Sequence, residues 1–214
     1  MGFKLTSKDY AEYIRLAYQR IHENGDYVTE LDSATGDGDH WSNINMGFEK
    51  LMEVADELET LSLFEEFKKI GTIMMSVIGG SSGVLYGSAY LGAAKALKDV
   101  QIIENQDMCN VLDAMLVAIM SRGNAQPGFK TMIDCLHPAV ECYKDCIAKG
   151  ISEKETVALV KKAAIDGAQN TANLEAVRGR AVYQANKGVG HLDPGAVTMS
   201  YQIETLMDYI ATKL

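Results

Sequence analysis

Apolar residues recur at three- and four-residue steps along almost the whole chain. Tyr10, Tyr13, Ile14, Ala17 and Ile21 form one stripe, and Trp41, Ile44, Phe48, Leu51, Met52, Ala55 and Leu58 a second. Ile70, Ile73, Met74 and Val77 lead to a glycine break, after which Leu85, Ala89, Gly92, Ala93, Ala96 and Leu97 restart the pattern. Four further stripes start at Met108, Met132, Val157 and Met199 and end at Ile119, Tyr143, Ala168 and Ile210. The periodicity predicts about eight helices. No segment alternates convincingly between apolar and polar over five residues, so the fold class is all-α. Short connections favour antiparallel neighbours in an up-and-down bundle. One stretch departs from the pattern: from about Asn173 to Gly195 the chain carries Gly179, Gly188, Gly190, Pro194 and Gly195. Irregular loops of that length are more often functional than idle, and this one is expected to act as a lid.

Candidate chemistry lies between and after these stripes. Leu31-Asp-Ser-Ala-Thr-Gly-Asp-Gly-Asp-His40 puts Asp32, Asp37 and Asp39 within eight residues of glycine-punctuated backbone. A hard divalent cation removes their mutual repulsion, and oxygen ligands from a short loop suit magnesium, which commonly shares its shell with a substrate's phosphates. An EF-hand does not fit: counting from Asp37 places Ser42 where the invariant glycine belongs and Phe48 at the final ligand position. A solvated, helix-capping acidic turn remains the alternative. Gly79-Gly-Ser-Ser-Gly83 offers free amides and the positive end of the following helix to an anion. It is not a Walker loop, because the next lysine is Lys95; the competing reading is a tight helix–helix turn with close packing through Gly87 and Gly92. Asp193 followed by Pro194 reads as an N-cap with proline at the first helical position. Arg178 and Arg180 flank Gly179 on the irregular segment, placed either to stabilise a transferring phosphoryl group or on solvated surface.

Composition narrows the partners. With 214 residues and 47% hydrophobic content the chain is expected to form one domain, residues 1–214, with a substantial core. A formal charge of -9 argues against nucleic acid or an anionic membrane as a partner, although local cations still permit a nucleotide. The first residues lack a signal-peptide core, and no run approaches the roughly 18 apolar residues of a membrane span. The expected location is the cytoplasm. Cys109, Cys135, Cys142 and Cys146 sit in helical patterns and are expected to be thiols; Cys142 and Cys146, near His137, lack a fourth ligand at zinc spacing.

Five runs carry a resemblance: Gly36-Asp-Gly-Asp-His-Trp-Ser-Asn-Ile-Asn-Met-Gly-Phe48, Gly79-Gly-Ser-Ser-Gly-Val-Leu-Tyr-Gly87, Lys130-Thr-Met-Ile-Asp134, Gly179-Arg-Ala181 and Gly190-His-Leu-Asp-Pro-Gly195. In order, and over about residues 10–212, they resemble the nucleotide-binding L subunit of bacterial dihydroxyacetone kinases. The resemblance implies an eight-helix antiparallel barrel with a nucleotide and two magnesium ions at one open end. It makes Asp32, Asp37 and Asp39 the metal ligands. His40 and Asn43 correspond to positions contacting phosphates or the metal shell, and Gly80, Ser81 and Ser82 to the phosphate-binding turn. Met132, with the segment around Asp193 and Pro194, falls at the adenine pocket. Arg180, the expected catalytic residue together with His40, matches an arginine aimed at the phosphate to be transferred. Phe129 departs from the family's frequent aspartate.

The implied reaction keeps ADP bound as a coenzyme, ATP being its phosphorylated state. A phosphotransferase-system protein, the M subunit, rephosphorylates it, and the phosphate passes to dihydroxyacetone on a separate K subunit. Two other readings compete: an L subunit using exchangeable ATP with a different ketose, polyol or acyl acceptor, and a non-catalytic nucleotide-sensing adaptor. Arg180 beside an intact acidic triad speaks against pure sensing. A homodimer is left open.

Overall fold

Side-chain caps set where several helices begin. The Thr6 hydroxyl accepts from Asp9 N while the Asp9 carboxylate accepts from Thr6 N, a capping box that opens α1 (Ser7–Glu23). Ser62 caps α5 (Leu63–Val77), Ser152 caps α9 (Glu153–Asn170), and Asp193 caps α10 (Pro194–Ala211) with Pro194 in its first turn. The other helices are α2 (Gly25–Thr35), α3 (His40–Glu53), α4 (Ala55–Leu58), α6 (Gly80–Ala96), α7 (Asn105–Gly123) and α8 (Ile133–Ala148). This is a computed structural model, and it describes residues 2–214.

Ten α-helices thus stand among the described residues where the periodicity predicts about eight. α2 escapes the pattern because its buried positions, Gly25, Val28, Asp32 and Thr35, have helical spacing but only one large apolar side chain. α4 is split from α3 at Val54, across which the apolar stripe runs unbroken. The expected thiols are found: all four cysteines are free. No helix among the described residues is long and apolar enough to cross a membrane.

The packing partners close into a ring, α1–α3–α5–α6–α7–α8–α9–α10 and back to α1. Its members alternate in direction. The starts of α3, α6, α8 and α10 face one cavity, lined by His40, Ser81, Met132 and Pro194 among others. At the same end lie the finishes of their neighbours: Trp41 Nε1 donates to Ile21 O at the close of α1, two residues join α5 to α6, Gly123 ends α7 beside the cavity, and Thr171 follows α9. Close contact between α5 and α6 depends on glycine. A Cβ at Gly87 would lie 2.9 Å from Gly71 O, and one at Gly71 3.0 Å from Gly87 O, so the glycines of the α6 stripe serve backbone approach.

At the far end, Tyr10, Phe67 and Tyr90 stack in the core, with ring centroids 4.2 Å apart for Tyr10–Phe67 and 5.8 Å for Phe67–Tyr90. Glu66 is wholly buried beside them, with the Ser7 side chain near its carboxylate but no hydrogen bond of normal geometry to either oxygen among the described residues. Burial pushes its pKa up to about 9. A folded-state value above the unfolded one means that the neutral acid favours folding at low pH and that stability falls as pH rises from about 4.5 to about 9. Glu66→Gln is expected to flatten this slope and to exceed the unaltered chain by on the order of 3 kcal/mol near pH 8. Denaturant unfolding near pH 5 and pH 8 checks it; equal slopes would place a partner on Glu66.

Candidate functional site

The three aspartates come together because α2 ends where it does. Asp32 lies in its last turn, Gly36 N donates to Asp32 O at 2.5 Å, and the chain turns back through Asp37, Gly38 and Asp39 into α3. Asp32 Oδ2 accepts from His40 N at 2.9 Å, which fixes this carboxylate at the head of α3. A Cβ on Gly36 would lie 2.5 Å from Asp32 Oδ1, so the carboxylate occupies the space a side chain would need. One oxygen from each of Asp32, Asp37 and Asp39 lies within 4.8 Å of the others; Asp32 is buried and the other two are exposed. Among the described residues the only ion pair reaching the cluster joins Arg180 Nη2 to Asp37 Oδ2 at 2.5 Å. Three carboxylates facing one guanidinium leave negative charge uncompensated, and an all-oxygen set of this size fits a hard divalent cation.

Ser81 and Ser82 form the first turn of α6, which starts without a side-chain cap. With the aspartates, His40, Arg180, Asp193 and Pro194 they line a polar cavity of 210 Å³. A second cavity of 390 Å³ adjoins it, walled chiefly by Val84, Leu85, Ile119, Met132 and Ile133. Ser81, Leu85, Thr131, Met132, Arg178 and Gly179 line both. A chamber lined by carboxylates and the uncapped first turn of α6 is therefore continuous with an apolar slot, a pairing suited to a ligand with a charged tail and a flat apolar ring.

Two expected residues do not line either cavity. Asn43 donates to Asp39 O at 3.0 Å, and its Oδ1 fills the space beside Gly79, so it braces the head of α3 against the glycine turn. Gly80 adopts φ +66 immediately before Ser81 and shapes the turn. His40 lines the polar cavity, with its Nε2 2.9 Å from Thr198 Oγ1; burial pushes its pKa down, against the pull of Asp32 and Asp39. Asp193 accepts from Ala196 N at 2.7 Å, and burial raises its pKa to about 7.

The sequence left the supporting roles of Asp134 and Thr198 unread, and left Arg178 open between a phosphoryl group and solvated surface. Asp134 accepts from Gly128 N at 2.5 Å and from Thr131 N at 2.8 Å, folding the loop that leads into α8. Arg178 donates to Asn124 O at 2.8 Å and lies 6.0 Å over the Phe129 ring, so Phe129 supports a cavity-lining arginine. The irregular segment holds a 3₁₀ turn at Thr171–Asn173 and another at Arg180–Tyr183. The order of the motifs carried a signal for Asp134; Thr198, whose partner lies 158 residues away, carried none.

The DAK2 domain model matches residues 34–208. The PTS-dependent dihydroxyacetone kinase, ADP-binding subunit DhaL, of Lactococcus lactis subsp. lactis is 35% identical over 207 residues, covering 97% of this chain and 100% of that one. The PEP-dependent dihydroxyacetone kinase, ADP-binding subunit DhaL, of Escherichia coli is 32% identical over 181 residues, with 85% and 86% covered. The crystal structure of the dihydroxyacetone kinase from C. freundii in complex with AMP-PNP and Mg2+ has a TM-score of 0.72 and 25% identity, matching 92% of this chain but only 33% of that kinase.

The Gly36 contact yields a direct expectation. Gly36→Ala requires the Asp32 carboxylate to shift from its present position, and divalent-ion affinity measured by calorimetry is expected to fall about tenfold, the scale of a disturbed ligand support. Unchanged affinity would mean that Asp32 is not a ligand.

Proposed function

Because the chain belongs to the DAK2-domain family, we propose that it is the ADP-binding, phosphoryl-carrying subunit of a dihydroxyacetone kinase. The observation that carries this reading is the continuity of the carboxylate-lined chamber with the apolar slot. Asp32, Asp37 and Asp39 would hold two magnesium ions, with His40 N keeping Asp32 in place. Magnesium bound there supplies positive charge to the nucleotide's phosphate oxygens. The first turn of α6, with Ser81 and Ser82, binds the phosphate tail through amides that no side chain caps. Met132 and the aliphatic wall hold adenine, and Asp193 with Pro194 closes the cavity at the start of α10.

Arg180 has two uses. It pairs with Asp37, and once that carboxylate is otherwise compensated the guanidinium is free to face the phosphoryl group being transferred. With the Thr198 hydroxyl donating to His40 Nε2, the ring carries its proton on Nδ1 and can donate it to a phosphate oxygen. The phosphoryl group leaves ATP for a dihydroxyacetone hydroxyl held by a separate K subunit, and ADP remains to be rephosphorylated by the M subunit of the phosphotransferase system. The relatives' names, ADP-binding subunits of PTS- or PEP-dependent kinases, support this division of labour.

Arg180→Ala is expected to retain ADP while transfer falls by roughly three orders of magnitude, the scale of an arginine that stabilises transition-state charge. Asp37→Asn is expected to lose both. Transfer assays with the K subunit and phosphorylated donor, alongside nucleotide content of the purified variants, decide the matter. Full turnover in Arg180→Ala would return this residue to the surface, and unchanged ADP content in Asp37→Asn would remove the metal assignment.

A further inference from the structure

Lys130 is only 2% exposed and adopts φ +59, a left-handed conformation that non-glycine residues rarely take. Its ammonium donates to Thr171 O and to His191 O, each at 2.5 Å. These carbonyls stand at the two roots of the irregular segment, which is further closed on itself by Gly190 N donating to Ala172 O at 2.8 Å and Ala176 N to Lys187 O at 2.9 Å. Arg180 lies on the body so enclosed. On its other side Lys130 continues directly into Thr131 and Met132, which line both cavities. A buried charge and a strained backbone persist only where the surroundings hold them in place, and such positions cluster at functional sites.

We propose that Lys130 is a positioning residue: it clasps both roots of the arginine-bearing segment to the loop that lines the apolar slot, so that Arg180 and the nucleotide share one frame. This rests on the phosphoryl-transfer reading above. Without the ammonium, two carbonyls lose their donor and the roots are no longer joined. The carboxylate cluster is built from α2 and α3, and the phosphate turn from α6; none of the hydrogen bonds that hold them involves Lys130. Lys130 also lines the polar cavity, but its ammonium is taken up by the two root carbonyls, so its expected action is through Arg180 and not through ligand retention.

The test is a double-mutant cycle on phosphoryl transfer in the kinase reconstituted with its K subunit, comparing Lys130→Met, Arg180→Ala and the pair. Lys130→Met is expected to lower kcat by about a hundredfold, the cost of a small misplacement of a catalytic group, with a much smaller change in ADP affinity. The double variant is expected to be no slower than Arg180→Ala alone, because the clasp has nothing left to position. Losses that multiply independently, or normal kcat in Lys130→Met, would overturn the proposal. Should Lys130→Met fail to fold, Lys130→Gln retains part of the donor set, and its kcat loss must again vanish in the Arg180→Ala background. Arg180→Ala at full turnover would instead refute the reading on which the proposal rests, so the two failures are distinguishable.

Discussion

Repulsion among Asp32, Asp37 and Asp39 organises the open end of the bundle. Two unit charges at 4.8 Å repel by about 1 kcal/mol in bulk water and about 3 kcal/mol near a protein surface, and three carboxylates make three such pairs. A single guanidinium, from Arg180, offsets part of this. The backbone amide of His40 offsets a little more at Asp32. What remains is uncompensated negative charge, which on the proposed reading a magnesium nucleotide would meet while bringing phosphates to the same place.

The helical ring answers the second half of that demand. Alternation of direction brings the starts of four helices, α3, α6, α8 and α10, to one end, where their partial positive charge and free amides favour anions. Helices that begin at the opposite end, α1, α5 and α9, are closed by Thr6, Ser62 and Ser152. At the site end α3 and α6 have no side-chain cap. At the same end α10 is closed by Asp193 and the His40 amide of α3 by Asp32, so the open amides are those of α6, beside Ser81 and Ser82.

The ring helices were legible because burial on one face imposes a 3.6-residue period on apolar side chains. α2 was not, since glycine, aspartate and threonine occupy most of its buried face, and two of these serve the site. The acidic cluster was legible for a different reason: its members are close in sequence, so one glycine-rich turn brings them together. Lys130 stands in the sequence only as the first residue of a motif run, and its role emerges when the fold supplies its acceptors, 41 and 61 residues away, which are backbone carbonyls that no side-chain pattern reveals. Asn43 and Gly80 were found as motif positions, but they brace the turn and do not line the cavity.

The central claim is that nucleotide affinity depends on compensation of the carboxylate cluster. Calorimetric titration of the nucleotide-free chain with ADP, once with magnesium in excess and once with a chelator, tests it most directly. Tight binding is expected with magnesium and a loss of affinity of several orders of magnitude without it, because ADP phosphates then face Asp32, Asp37 and Asp39 unshielded. Equal affinity in both conditions would contradict it.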